Sequence, residues 1–218
     1  AVKFDSDKID ENSNIMDIIM KTIDIMGSKI SEESLEMSDL VLNVYTDKVG
    51  LLDVEKLDSC YKYGYECVIE NIDKIKRDML DSMITRGPDS EGVVEVNNVT
   101  LLHRRLAVID IENGKQPMSI TYKGNTFHIV YNGELYNTEE LRRDLFKDGY
   151  RFEGHSDTEV IIKAYDNWGE SMMTRLNGIF AFAIYNEISK ELFFARDMLG
   201  VKPLFYAFAD GGFVFGSE

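Results

Sequence analysis

Cysteine and histidine are scarce in this 218-residue chain, and what there is of them is spaced for neither metal nor redox chemistry. Cys60 and Cys67 lie seven positions apart, which makes no CxxC pair and no disulfide framework, so a reducing, cytoplasmic setting is expected. His103, His128 and His155 form no HxxxH or HExxH pattern, and no metal is expected. Three prolines and 16 glycines leave no low-complexity or linker-like stretch. No apolar run approaches the roughly 18 residues that a membrane span needs, and no signal peptide precedes the first helix-like pattern. Basic charge is also short. The net charge is −15, with nine basic and 17 acidic side chains in residues 1–76 and 15 and 22 in residues 77–218. Nucleic acid and anionic membrane are therefore poor partners, because the electrostatic term that drives such binding is repulsive here. The chain begins on Ala1 rather than Met, so it is expected to be either processed or cut from something longer, and it stops at Gly216-Ser217-Glu218 straight after a strand-like run.

What remains is an ordinary globular composition, 44% hydrophobic, long enough for one large or two small domains. Ile15, Ile18, Ile19, Thr22 and Met26 fall on one helical face and Gly27 ends the pattern. A second helical stretch covers 31–37, and Leu40–Tyr45 reads as a buried strand. Asp53 then caps a helix whose apolar spacing runs through Leu57, Tyr61, Gly64, Val68, Ile72, Ile75, Met79 and Met83 to the loop signal at Arg86, about eight turns at 3.6 residues each. Cys60 and Cys67 share a face of it. From Val93 the texture changes to short strands, at 93–96, 99–102, 106–109, 127–131, 180–185, 192–195, 204–207 and 213–215, with helices at 138–147 and 158–168 between the two groups. Strand runs flanking a pair of helices indicate an α+β fold.

Five stretches carry the chemistry, in this order: Arg86-Gly87-Pro88-Asp89-Ser90-Glu91-Gly92; His103-Arg104-Arg105-Leu106-Ala107-Val108-Ile109-Asp110; Val130-Tyr131-Asn132-Gly133-Glu134-Leu135-Tyr136-Asn137; Ser156-Asp157-Thr158-Glu159-Val160; and Ala195-Arg196-Asp197-Met198-Leu199-Gly200-Val201-Lys202-Pro203-Leu204. Alone, Asn132-Gly133 is a strong hairpin signal. The ordered series over residues 77–218, however, resembles the glutamine-hydrolysing domain of glutamine-dependent asparagine synthetases, a class II amidotransferase. The Arg-Gly-Pro-Asp and Asn-Gly-Glu-Leu-Tyr-Asn runs favour that branch over the phosphoribosyl- and sugar-phosphate amidotransferases. The resemblance implies the four-layer αββα sandwich of the N-terminal-nucleophile hydrolases, preceded here by a helical segment. It implies hydrolysis of glutamine to glutamate and ammonia, the ammonia passing to a C-terminal synthetase domain that amidates aspartate. ATP and magnesium would belong to that missing domain, leaving this chain without a cofactor, and two copies would pair as a homodimer.

By the same resemblance, Asn132 through its side-chain amide and Gly133 through its backbone N–H are the catalytic oxyanion donors. Arg105 would hold the substrate α-carboxylate in a two-point geometry, and Asp157 the α-ammonium with help from Glu134. Val108 and Ile109 would form the neighbouring wall, on a strand entering the core. Arg86–Asp89 is expected to be a fixed turn and Arg196–Asp197 a buried or interfacial ion pair.

That family works through a cysteine at the start of its mature chain, whose free amine is the base. Cys60 stands 26 positions before Arg86, near the family spacing, but Tyr61 occupies the place of the family's glycine and the helical periodicity runs through it. A helical, structural Cys60 is expected, and with it no ammonia release from this chain. Residues 1–76 also resemble the C-terminal tail of bacterial patatin-like phospholipases, through Ile23-Asp24-Ile25-Met26, Ser38-Asp39-Leu40-Val41-Leu42, Gly50-Leu51-Leu52-Asp53 and Gly64-Tyr65-Glu66. The Gly-x-Ser-x-Gly nucleophile motif of those enzymes does not occur, so the segment would be inert as a lipase. A binding domain without turnover and a chimeric fragment are the rival readings.

Overall fold

The computed structural model describes residues 2–4, 19, 22, 35–38, 40–45, 56–209 and 212–217, in two compact units, Ala1–Met79 and Leu80–Glu218. In the first unit, strand β1 (Val2–Phe4) pairs in parallel with β2 (Leu42–Val44), inside the stretch expected to be extended. The helices expected over 14–26 and 31–37, and the Asp53 cap, lie largely outside the described residues; Ile19, Thr22, Leu35 and Glu36 are helical. The long helix is two helices, α1 (Leu57–Glu70) and α2 (Ile72–Ser82). The break falls at Asn71, whose side-chain Nδ2 donates to the Cys67 carbonyl at 2.8 Å while its backbone N–H reaches Cys67 O and Val68 O. An asparagine amide competes in this way for the carbonyls that would continue the helix. Cys60 is in α1, as expected, half-buried, and Cys67 Sγ donates to Asn43 O at 3.4 Å.

The second unit is α+β. Strands β3 (Ser90–Val96) and β4 (Val99–Arg105) form a hairpin. A four-stranded antiparallel sheet follows, in the order β5 (Met118–Tyr122), β6 (Asn125–Leu135), β7 (Gly178–Asn186) and β8 (Leu192–Arg196). Helices α3 (Thr138–Lys147) and α4 (Asp157–Trp168) and a 3-10 turn (Gly169–Thr174) come between β6 and β7. A second hairpin, β9 (Phe205–Ala209) and β10 (Gly212–Gly216), closes the chain.

The layering follows from β7. Phe180, Phe182 and Ile184 alternate with Ala181 and Ala183, and all are buried, because both faces of the strand are covered. The large side chains meet Phe127, Ile129 and Tyr131 of β6 and the helices, through Leu141 and Leu145 of α3 and Val160, Ile161 and Ala164 of α4. At roughly 1.5–3 kcal/mol for each large side chain removed from water, this cluster dominates the stability of the unit. The small alanines leave room on the other face for the two hairpins. His103 of β4 reaches Tyr131 O at 3.2 Å, Asn97 reaches Tyr185 OH at 3.1 Å, and Phe213 and Phe215 pack on Phe194 at 5.0 and 4.8 Å. Helices, sheet and the two hairpins thus stack as three layers, an α+β sandwich.

One strand expectation fails, and one strand was not expected. Residues 106–109 are an exposed loop rather than a strand entering the core, for reasons that belong to Arg105 below. β5 is a strand that the sequence reading passed over, although Met118, Ile120 and Tyr122 alternate with the more exposed Ser119 and Thr121.

Candidate functional site

The site forms where β6 outruns its neighbour. β5 pairs with β6 only as far as Ile129, so residues 131–135 have an open edge on that side. N–H groups alternate sides along a strand, and Tyr136 N–H bonds Asn177 O on the β7 side, so Tyr131, Gly133 and Leu135 point theirs at the open edge. Gln116 fills the first place: its Oε1 accepts the Tyr131 N–H at 2.7 Å and its Nε2 donates to Tyr131 O at 3.0 Å, so one side chain replaces a strand residue. Asp157 fills the third, its Oδ2 accepting the Leu135 N–H at 3.3 Å and the Tyr131 hydroxyl at 2.8 Å. The Gly133 N–H lies between these two occupied donors. Burial, then the Asp157 charge, raises the Tyr131 pKa, so the phenol stays a donor.

Asn132 and Gly133 are therefore inside a strand and make no hairpin turn. Gly133 is required by close approach. A Cβ there would sit 2.7 Å from Phe180 Cα and 2.9 Å from Tyr131 Cε2, and nearer still to the Ile179 carbonyl oxygen. The Asn132 side chain is on the opposite face, its Nδ2 donating to Ser217 Oγ at 3.2 Å, and Glu134 is exposed on that same face.

Arg105 ends β4. The turn at Arg86–Asp89 fastens it: Asp89 N–H donates to Arg105 O at 3.0 Å, Asp89 Oδ2 accepts the Ala107 N–H at 2.7 Å, and Gly87 lies too close to the Arg104–Arg105 peptide for any side chain. The guanidinium, 7% exposed, donates to Ile109 O at 2.8 Å, Asp110 O at 2.7 Å and Ile111 O at 3.0 Å. By gathering three successive carbonyls, Arg105 curls residues 106–111 into a loop, which is why they make no strand. Val108 is 77% exposed and Ile109 is also exposed, so the expected apolar wall is not packed; Ile109 contributes its carbonyl instead.

Asp110 links this loop to Asp157. Its carboxylate accepts N–H groups from His155 at 2.6 Å and Asn113 at 3.0 Å, and the His155 N–H, with that of Asn113, holds its pKa below the usual range. His155 precedes Ser156, the N-cap of α4, whose Oγ accepts the Thr158 N–H at 3.1 Å. Asp157, 6% exposed, occupies the first turn, where the helix dipole favours a carboxylate. Glu159 anchors the same loop from below, accepting N–H groups of Glu153 at 2.9 Å and Gly154 at 3.0 Å and pairing with buried Lys163. Arg105 is thus bonded to the loop that carries Asp110, Asp110 to the backbone two residues before Asp157, and Gln116 and Asp157 to Tyr131 and Leu135, on either side of Gly133.

His103 joins this set of bonds. Burial lowers its pKa to about 4, against a smaller upward pull from the Tyr131 carbonyl, so the ring is neutral and its Nε2–H donates to Tyr131 O. Its Nδ1 is buried with no hydrogen-bond partner among the described residues. The Arg196–Asp197 ion pair is corrected: Asp197 accepts the N–H groups of Phe180 at 3.2 Å, Val201 at 2.9 Å and Lys202 at 3.0 Å, so backbone amides satisfy it. Gln116, Asp110, His103 and Glu159 were missed as site residues; the last three stand inside the quoted motifs. No group of three or more His, Cys, Asp or Glu side chains able to hold a metal occurs among the described residues, and residues 80–218 contain no cysteine.

Chemically, the open edge of β6 offers a buried carboxylate at Asp157 and a backbone donor at Gly133, while the Arg105 guanidinium is engaged with the carbonyls of residues 109–111. The glutamine amidotransferase domain family matches residues 63–218. The chain is 54% identical over 140 residues to "Asparagine synthetase [glutamine-hydrolyzing] 3" of Bacillus subtilis (strain 168), covering 64% of this chain and 23% of that protein. It is 41% identical over 146 residues to "Asparagine synthetase [glutamine-hydrolyzing] 1" of the same organism, covering 67% and 23%. Among solved structures, glutamine phosphoribosylpyrophosphate amidotransferase from B. subtilis aligns with a TM-score of 0.47 at 27% identity over 54% of this chain and 27% of that one. The chain spans about a quarter of the length of the relatives it matches.

Proposed function

The chain belongs to the glutamine amidotransferase domain family, and on that premise we propose that residues 77–218 are the glutamine-binding body of an asparagine synthetase amidotransferase domain. Glutamine is held at the open edge of β6. Arg105 takes the α-carboxylate, Asp157 and Glu134 take the α-ammonium, and the carboxamide oxygen faces Gly133 N–H and the Asn132 amide. The observation that carries the reading is the Gly133 N–H, set between the donors that Gln116 and Asp157 already occupy. In turnover these two donors would stabilise the oxyanion of the tetrahedral intermediate, each worth about 3 kcal/mol of barrier. Asn132 donates to Ser217, and on glutamine binding that bond would exchange for the substrate oxygen.

Ammonia release needs a thiol beside a base. Cys60 and Cys67 are internal residues of a helix, with no free α-amine of their own to act as base, and on this reading the chain binds glutamine without hydrolysing it. In the complete protein the ammonia serves aspartate amidation in a synthetase domain that brings its own ATP and magnesium, within a cytoplasmic dimer. Among the described residues no helix is long and apolar enough to cross a membrane. Calorimetry with glutamine tests the reading beside an ammonia assay of the chain and its Cys60→Ala variant. Binding abolished by Arg105→Ala, with ammonia at background, is expected. Unchanged affinity in Arg105→Ala refutes the clamp, and turnover lost only in Cys60→Ala makes Cys60 the nucleophile.

A further inference from the structure

On the face of the sheet that bears the hairpins, three side chains outside the glutamine site form a chain of hydrogen bonds. Ser119 Oγ lies 2.7 Å from His128 Nδ1, and His128 Nε2 lies 2.7 Å from Glu187 Oε1. Ser119 and His128 are directly opposed in the β5–β6 register, and Glu187 follows β7, so each residue comes from a different strand or its end. The imidazole is 6% exposed and stacks near the Tyr185 ring at 6.4 Å, which fixes its plane, while Ser119 is exposed. Glu187 accepts the Nε2–H and so selects the tautomer with the Nδ1 lone pair aimed at the serine hydroxyl. Nucleophile, base and orienting carboxylate are in hydrogen-bond sequence, the arrangement that activates a serine.

We propose that Ser119 is a nucleophilic serine, activated by His128 and oriented through Glu187, that accepts the acyl group of small uncharged esters. β5 is an edge strand whose 118, 120 and 122 positions bond β6, so the N–H groups of Ser119 and Thr121 point outward from the sheet. The Ser119 N–H is the donor available to an oxyanion formed at Ser119, that of Thr121 lying about 7 Å further along the strand. Ser119 Oγ bonds to the ester carbonyl carbon while its proton passes to His128 Nδ1. The carbon–oxygen bond to the alcohol then breaks, and the departing alkoxide takes that proton. Water repeats the sequence, releasing the carboxylic acid and restoring the serine. The net charge of −15 disfavours anionic acyl donors.

The purified full chain is treated with a fluorophosphonate probe and, separately, with p-nitrophenyl acetate. A single phosphonyl adduct on the Ser119 peptide is expected by mass spectrometry, with none in Ser119→Ala, whose exposed strand position tolerates alanine. Release of p-nitrophenol should fall to background in Ser119→Ala and about 100-fold in His128→Gln. As Glu187 acts through His128, Glu187→Gln should slow the reaction and Glu187→Asp recover part of it. No adduct on the wild-type chain, an adduct that survives Ser119→Ala, or ester hydrolysis equal in the Ser119→Ala and wild-type chains overturns the proposal.

Discussion

Replacing Gly133 by alanine tests fold and site together. The added Cβ would meet the Ile179 carbonyl, Phe180 Cα at 2.7 Å and Tyr131 Cε2 at 2.9 Å. The first two are backbone atoms of β7, the most buried strand of the sheet, and the third is a ring held by its hydrogen bond to Asp157, so no flexible side chain can swing away. Relief requires β6 and β7 to separate along a pairing that runs from Phe127 to Leu135. Overpacking of a close-packed interior costs about 1–3 kcal/mol, and backbone contacts place this substitution at the upper end, about 3 kcal/mol. With a urea m-value of about 2 kcal/mol/M, the midpoint should fall by roughly 1.5 M without a change in slope. Circular dichroism and tyrosine fluorescence through a urea titration measure it. A midpoint within about 0.3 M of wild type would show that β6 and β7 do not approach as described.

His103 should make the unit acid-labile. Its folded-state pKa, about 4, is below the ordinary 6.5, so the unfolded chain protonates first and stability declines as pH falls from 6.5 towards 4, by up to about 3 kcal/mol. His103→Gln should flatten that decline in a series of urea titrations; an unaltered slope refutes the assignment. For the buried pair, Glu159→Leu should destabilise more than Lys163→Met, since Glu159 also accepts the Glu153 and Gly154 N–H groups and each orphaned donor costs about 1–3 kcal/mol. Equal losses, or the reverse order, in chemical denaturation would contradict this. In α1, a Cβ at Gly64 meets nothing within 4 Å, so Gly64→Ala should add about 0.5–1 kcal/mol of helix stability, read as increased helical circular dichroism on warming.

The sequence by itself determined whatever depends on a few neighbouring residues. Leu141 and Leu145 place α3, the alternation of Phe and Ala places β7, and the order of five motifs names the family. Periodicity is local backbone geometry, and it needs no partner. It failed where a polar group decided the matter. Leu106, Val108 and Ile109 have the composition of a strand, yet the Arg105 guanidinium takes the carbonyls of residues 109–111 and bends them away. The apolar face of the long helix runs through Ile72 unbroken, yet the helix divides at Asn71, whose side-chain amide shares the Cys67 carbonyl with its own backbone N–H. What only the tertiary structure decided is where buried donors and acceptors find one another across the chain: Gln116 on Tyr131, Asp110 on His155, Asp157 on Leu135, and Ser119 on His128 and through it Glu187. A buried polar group must be satisfied by whatever the fold brings to it, and for these residues that partner is 9 to 59 positions away, beyond the reach of any local pattern.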